Sequence, residues 1–316
     1  MKNIWVNGIM GVFLGDALGM PVQFESRDTV AKHPVVTMRG YGTYNMPPGT
    51  WSDDSSMALA TLVSLKEKGD VDYSDIMERF IRWTYDGEYT PAGEAFDQGY
   101  TCMEAIMKYA KNKDYKTCGK TGERANGNGA LMRIMPACLY AYEKVSKGEW
   151  DLAQAIECIH QISALTHNHL RSKIACGIYY FMIENIIKER GTLLECLQNG
   201  VDDALRFYHS DKENLYELAH YSRLFHLEEF SKCHENEIKS SGYVVDSLEA
   251  AVWSLITTKD LEEGLLKAVN LGDDSDTVGA IAGGLAALYY GYESAPKDWR
   301  EAIIKGDEII KLCEEM

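Results

Sequence analysis

Apolar residues recur at helical spacing along almost the whole chain. After Ser74, Ile76, Met77, Phe80 and Ile81 fall on one stripe, and after Asp260, Leu261, Leu265 and Val269 do the same. Two basic runs end in glycine, Gly69 after Lys66-Glu67-Lys68 and Gly191 after Lys188-Glu189-Arg190, the usual close of a helix. Only the stretch from Val35 to Met38 has the β-branched density of a strand. The pattern predicts an all-α, compact multi-helix fold of roughly a dozen helices. No Pro/Ser-rich linker and no repeat of solenoid period divides the chain, so residues 1–316 are expected to form a single domain. The charged, His-containing stretch from His226 to Ser241 is expected to be a surface loop or insertion.

The run from Ile4 to Leu14 after Lys2 imitates a secretion signal, but Asn7, Gly8 and Asp16 interrupt the pattern, which predicts a buried helix instead. The stretch from Val278 to Tyr290 is too short to span a bilayer, and its glycines suit close helix packing. With 32 basic and 48 acidic residues among 316, the formal charge is −16. Phosphate backbone is held mainly by Lys and Arg, so this balance argues against a nucleic-acid partner. The eight cysteines include no C-x-x-C pair, and Cys158 near His160 and Cys233 beside His234 are isolated. They read as small core hydrophobes in a reducing compartment, and a cytoplasmic protein is expected.

The chemistry concentrates in two acidic motifs. One is Trp51-Ser52-Asp53-Asp54-Ser55-Ser56-Met57 and the other is Gly272-Asp273-Asp274-Ser275-Asp276-Thr277, each just before an apolar helix. Helix capping accounts for one acid or hydroxyl at such a position, because its oxygen accepts an orphan backbone N–H. It does not account for several. Clustered carboxylates repel one another unless a cation neutralises them, and an oxygen-only set points to Mg2+ or Mn2+. Five or so acids make a two-metal site a candidate. If the motifs meet in space, the two ends of the chain build one site.

These motifs, taken with Gly15-Asp16-Ala17-Leu18-Gly19, Asn126-Gly127-Asn128-Gly129-Ala130-Leu131-Met132-Arg133, Thr166-His167 and Gly242-Tyr243-Val244-Val245-Asp246-Ser247-Leu248, resemble the ADP-ribosylglycohydrolase family over nearly the whole chain. That family includes dinitrogenase reductase-activating glycohydrolase and the ADP-ribosylarginine hydrolases. The resemblance implies an all-α fold with a binuclear Mg2+ or Mn2+ centre that binds the distal ribose of ADP-ribose. It implies metal ligands at Ser52, Asp53, Asp54, Asp274, Asp276 and Thr277, with Asp273 a neighbour. It implies a glycine-rich diphosphate loop at Asn126, Gly127, Asn128 and Gly129, a ligand-contacting His167, and Tyr243 stacked on adenine. The implied activity is metal-dependent hydrolysis of the glycosidic bond between ADP-ribose and a modified side chain, with arginine favoured, or of a small ADP-ribosyl compound.

The sequence departs from the family at one point, where bacterial relatives read Val-Glu-Phe and this chain reads Val22-Gln23-Phe24-Glu25. Gln23 cannot act as a general base; Glu25 can, if the loop brings it in, although strand-like alternation would put both on one face. Asp97 is either a proton-handling loop aspartate or a helix cap before Cys102, Ala105 and Ile106. His167 and His169 stand two apart and point to different faces, Arg133 is expected to pair with a carboxylate, and the Trp83-Tyr85 pair reads as core and rim. A non-catalytic ADP-ribose binder competes as a reading because of Gln23. A terpenoid synthase fails on its D-D-x-x-D motif, since Met57 takes the last position.

Overall fold

The computed structural model describes residues 3–188 and 191–316. Among them are twelve helices of nine residues or more, joined by shorter α and 3-10 turns. They are α1 (Ile4–Gly19), α2 (Asp53–Lys68), α3 (Tyr73–Asp86), α4 (Tyr100–Asn112), α5 (Met135–Ser146) and α6 (Leu152–Ala164). The chain continues through α7 (Leu170–Ile187), α8 (Leu193–Tyr208), α9 (Val244–Ile256), α10 (Leu261–Val269), α11 (Ser275–Tyr290) and α12 (Gly306–Glu314). The stripe Ile76, Met77 and Phe80 is buried, Asp260 caps α10 by accepting from Glu263 N–H, and Gly69 closes α2 in the left-handed region. Of the second basic ending, Glu189 and Arg190 lie outside the described residues.

At the centre α1 and α11 run antiparallel, and both are buried on nearly every side, which suits a core helix. Glycines set their separation. A Cβ on Gly15 would stand 1.8 Å from the Gly279 carbonyl oxygen, and one on Gly279 would stand 2.3 Å from that of Gly15. Ile4–Val22 is long and apolar enough to cross a bilayer by composition, but it is packed inside the protein. The contact brings the C-terminal end of α1, with Asp16 and then Gln23, beside the N-terminal end of α11, with Asp274 and Asp276. Gly15→Ala is expected to cost about 3 kcal/mol, the upper range for overpacking, because only backbone could give way. Urea unfolding measures this, and a loss below about 0.5 kcal/mol, the scale of an innocuous surface change, would show that the helices separate easily.

Two expectations are corrected. No strand forms at residues 35–38; Val35 is buried while Val36 is exposed, and the Asn270 side chain takes the place of a strand partner. Its Oδ1 accepts from Val35 N–H at 2.8 Å and its Nδ2 donates to the Val35 carbonyl at 2.9 Å. Nor is His226–Ser241 simply a surface loop. It carries a helical turn at Leu227–Phe230 and a 3-10 turn at Glu235–Glu237, and Leu227, Phe230, Ile238 and Ser240 are buried. Seven of the eight cysteines are buried, and Cys233 is half-buried. Trp83 is core and Tyr85 is exposed.

Candidate active site

The floor of the site is built where three helix ends meet. Asp16 at the end of α1 is fully buried and receives the Ser52 N–H on both oxygens, at 2.9 and 3.0 Å, the Ser55 N–H at 3.1 Å and the Ser55 hydroxyl at 2.5 Å. Burial outweighs these bonds and pushes its carboxyl up to about 6. Asp16 thereby fixes the start of α2, a role that its motif alone did not reveal.

Ser52 is the cap of α2, its hydroxyl accepting from Asp54 N–H, so capping does not explain Asp53 or Asp54. Asp274 holds the cap position of α11 but makes no side-chain cap bond. Asp276 accepts from Thr277 N–H through Oδ1 at 2.9 Å. The two motifs do meet. The Ser52 hydroxyl donates to Asp54 Oδ2 at 3.2 Å, and the Thr277 hydroxyl donates to the same oxygen at 3.4 Å. Asp53, Asp54 and Asp276 are buried, and burial followed by the neighbouring carboxylates holds all three well above the usual range. Burial raises Asp274 as well, against hydrogen bonds from Asn128 and Gln23.

Over this floor lies a cavity of about 250 Å³, lined by Gln23, Phe24, Asp53, Asp97, Asp274 and Thr277 on the acidic side. Gly127, Asn128, Gly129 and His167 line the other side. Residues 22–25 are not strand-like: Gln23 ends a 3-10 turn and Phe24 takes φ 66°, so alternation does not apply. Gln23 is buried at the cavity wall. Glu25 is outside the lining, its backbone carbonyl accepting from Asp273 N–H at 2.8 Å.

Asp97 is not a helix cap, because Gly99 occupies that position of α4. It takes φ 55°, accepts from the Tyr44 hydroxyl through Oδ1 at 2.6 Å, and leaves Oδ2 buried without a partner.

On the opposite wall, Asn128 Nδ2 donates to Asp274 Oδ2 at 2.6 Å and to the Ser247 hydroxyl at 2.9 Å. Residues 126–128 pair with 242–244, Asn128 N–H donating to Gly242 O and Val244 N–H to Asn126 O, each at 3.0 Å. This leaves the Gly127 and Gly129 N–H groups without acceptors among the described residues. Asn126 is buried outside the lining, its Oδ1 accepting from the Ser172 hydroxyl at 3.0 Å. Tyr243 is also outside the lining; Arg171 donates to its hydroxyl at 3.1 Å and sits 5.9 Å from the ring centroid.

Arg133 does not pair with a carboxylate. Fully buried, it donates to Gly129 O, Ile162 O and the Thr166 hydroxyl, props the glycine loop and stacks on Phe80 at 4.9 Å. Thr166 Oγ1 lies 2.8 Å from His167 Nδ1. Arg133 donates to the same hydroxyl. Burial, then the Arg133 charge, pushes His167 down to about 3, so its ring is neutral where it lines the cavity.

His169 diverges from it, capping α7 and approaching Glu123. Glu123, His169 and Glu217 form the group of possible ligands whose atoms all lie within 4.8 Å of one another among the described residues. Arg171 already satisfies it, donating to Glu123 at 2.7 Å and Glu217 at 2.8 Å.

The cavity acids are spread more widely, yet they present a different chemistry. Gln23 Oε1, Asp54 Oδ1, Asp97 Oδ2 and Asp276 Oδ2 are all buried acceptors without donors. A set of orphan acceptors with no cationic side chain against it among the described residues fits a hard divalent cation.

The ADP-ribosylglycohydrolase family model matches residues 5–316. The chain is 30% identical over 308 residues to ADP-ribosylarginine hydrolase Tri1 of Serratia proteamaculans, covering 98% of this chain and 77% of the relative. It is 32% identical over 297 residues to ADP-ribosyl-[dinitrogen reductase] glycohydrolase of Rhodospirillum rubrum, covering 93% and 88%. A solved ADP-ribosylglycohydrolase-related protein complex superimposes with TM-score 0.79 and 30% identity, over 99% of this chain and 96% of that one. The fold and site therefore define a glycosidase-type enzyme with ADP-ribosylglycohydrolase activity. The chain belongs to the ADP-ribosylglycohydrolase family.

Proposed function

We propose that this enzyme cleaves the N-glycosidic bond between ADP-ribose and an arginine side chain on a modified protein, using two Mg2+ or Mn2+ ions. The observation that carries the proposal is the group of unpartnered buried acceptors around one acidic cavity. Ser52, Asp53, Asp54, Asp274, Asp276 and Thr277 would hold the ions, whose charge would neutralise the carboxylates and polarise the distal ribose hydroxyls. The arginine linkage draws support from the relatives named as ADP-ribosylarginine hydrolases.

At about 250 Å³ the cavity is below the usual ~300–1,000 Å³ of a site enclosing a whole drug-sized ligand. It suits the distal ribose and its adjoining phosphate, with the rest of the nucleotide extending past Gly127 and Gly129, whose free N–H groups suit phosphate oxygens. The neutral His167 imidazole adds a polar group on that wall. Tyr243, outside the cavity, remains available at its rim for the base.

At the other wall, Asp97 Oδ2 is the free carboxylate oxygen suited to accept a proton from the attacking water. The C–N bond to the guanidine breaks, a C–O bond from water forms, and the proton held by Asp97 passes to the departing nitrogen. Gln23 orients water or sugar through its amide and moves no proton. The site draws on residues near both ends of the chain, which supports a single domain over residues 1–316, and the mostly buried cysteines suit a cytoplasmic setting.

The test is incubation with arginine-, serine- and acyl-linked ADP-ribose, followed by mass spectrometry of released ADP-ribose. Release from the arginine substrate at least ten times faster than from the others is expected. Faster release from serine or acyl linkages would overturn the arginine assignment.

A further inference from the structure

Asp97 has few restraints. It sits in a loop at φ 55°, caps no helix, and has one oxygen free in the acidic cavity. Surrounded by other carboxylates, an unrestrained Asp97 side chain would turn away from them. Among the described residues a single donor opposes this, the hydroxyl of Tyr44, 2.6 Å from Asp97 Oδ1.

Tyr44 is itself held from several directions. Its ring packs against Phe96, the residue before Asp97, with centroids 5.1 Å apart. Its neighbour Thr43 donates from N–H to Pro21 O at 3.1 Å and from the hydroxyl to Gln23 O at 2.6 Å. Gly42 lies so close beneath that a Cβ there would be 1.7 Å from Pro21 O. Tyr41 N–H to Met46 O at 2.6 Å and Asn45 N–H to Gly42 O at 2.9 Å close the turn. The loop is therefore braced on the Pro21–Gln23 segment, with Tyr44 spanning to the Asp97 loop. Tyr44 is outside the cavity lining. Burial, then Asp97, raises its phenol, so the hydroxyl stays a donor.

We propose that Tyr44 is a positioning residue: by occupying Asp97 Oδ1 from a loop braced on the Gln23 segment, it holds Oδ2 toward the reacting sugar and sets the Asp97–Gln23 spacing. The inference rests on the reading of Asp97 as the group that handles the proton. It deepens that reading by naming what keeps the carboxylate in a reactive orientation in an acid-rich cavity.

A double-mutant cycle tests it. Initial rates on arginine-linked ADP-ribose are measured for wild type, Tyr44→Phe, Asp97→Asn and the double variant, with ADP-ribose affinity by calorimetry. Tyr44→Phe keeps the ring against Phe96 and removes only the donor, so its melting temperature and its response to Mg2+ should match wild type. Its kcat is expected to fall roughly 10- to 100-fold, the scale of a misplaced reacting group, with KM and ADP-ribose affinity within about twofold. In the Asp97→Asn background the same substitution should cost nothing further, because Tyr44 acts through Asp97. Wild-type kcat in Tyr44→Phe, or an equal further loss in the Asp97→Asn background, would overturn the positioning role while leaving Asp97 in place. Wild-type kcat in Asp97→Asn would instead overturn the reading of Asp97 on which the inference rests.

Discussion

Asp276→Asn is expected to reduce kcat by at least a thousandfold while leaving the cation-free protein as stable as wild type, or more so. Asp276 is completely buried, with Oδ2 unpartnered and Asp54 and Asp274 as its nearest charged neighbours. The backbone bond it receives runs from Thr277 N–H to Oδ1, and an asparagine carbonyl accepts that bond equally well. The substitution removes a negative charge from a mutually repelling group, so nothing is lost without a cation. What disappears is a carboxylate able to hold a divalent ion. Steady-state rates and melting curves in EDTA check both halves. An active Asp276→Asn enzyme would show that this carboxylate serves the fold, and a large loss of stability in EDTA would show the same.

The second large effect is on stability. Saturating Mg2+ or Mn2+ should raise the melting temperature of the wild type by roughly 5 °C over EDTA, as a ligand at about 100 times its Kd adds about 2.7 kcal/mol to the native state. The direction follows from Asp53, Asp54, Asp274 and Asp276, whose carboxyls are all held above their ordinary range by burial and by one another. Asp276→Asn should lose most of the shift. Superimposable wild-type curves in Mg2+, Mn2+ and EDTA would remove the cation from the account.

Much of this arrangement is legible in the sequence because local rules agree with the fold. The helical stripes, the Asp260 cap and the Gly69 stop depend on residues a few positions apart, and periodicity captures them. The acidic motifs were visible because three acids exceed what a cap requires, and Ser52 does take the capping role at α2. The residues missed depend on contacts across the chain. Asp16 reads as part of a small-residue helix until Ser52 and Ser55, 36 and 39 positions later, are seen to donate to it. Tyr44 reaches Asp97 across 53 positions. The Asp97 cap reading fails because helix α4 starts at Tyr100, behind Gly99. Val35 fails as a strand for a similar reason, since the side chain of the distant Asn270 supplies both of its backbone partners. Arg133 looked like half of an ion pair because a buried guanidinium usually has a carboxylate; here two carbonyls and a hydroxyl take that place, and its charge adds to the burial that keeps His167 neutral.

The Gln23 departure is resolved by geometry more than by chemistry. Phe24 turns through φ 66°, so Gln23 faces the cavity and Glu25 does not line it, and a free carboxylate oxygen on the same acidic side belongs to Asp97. If Asp97 handles the proton as proposed, a carboxylate at residue 23 is not required.

If the converging acids form one cation-dependent hydrolytic site, single-turnover hydrolysis of arginine-linked ADP-ribose by EDTA-stripped enzyme should show no ADP-ribose release in EDTA and full recovery once Mg2+ is restored. Release at the same rate in EDTA, or ADP-ribose binding with no release under either condition, would show that the acids do not form such a site.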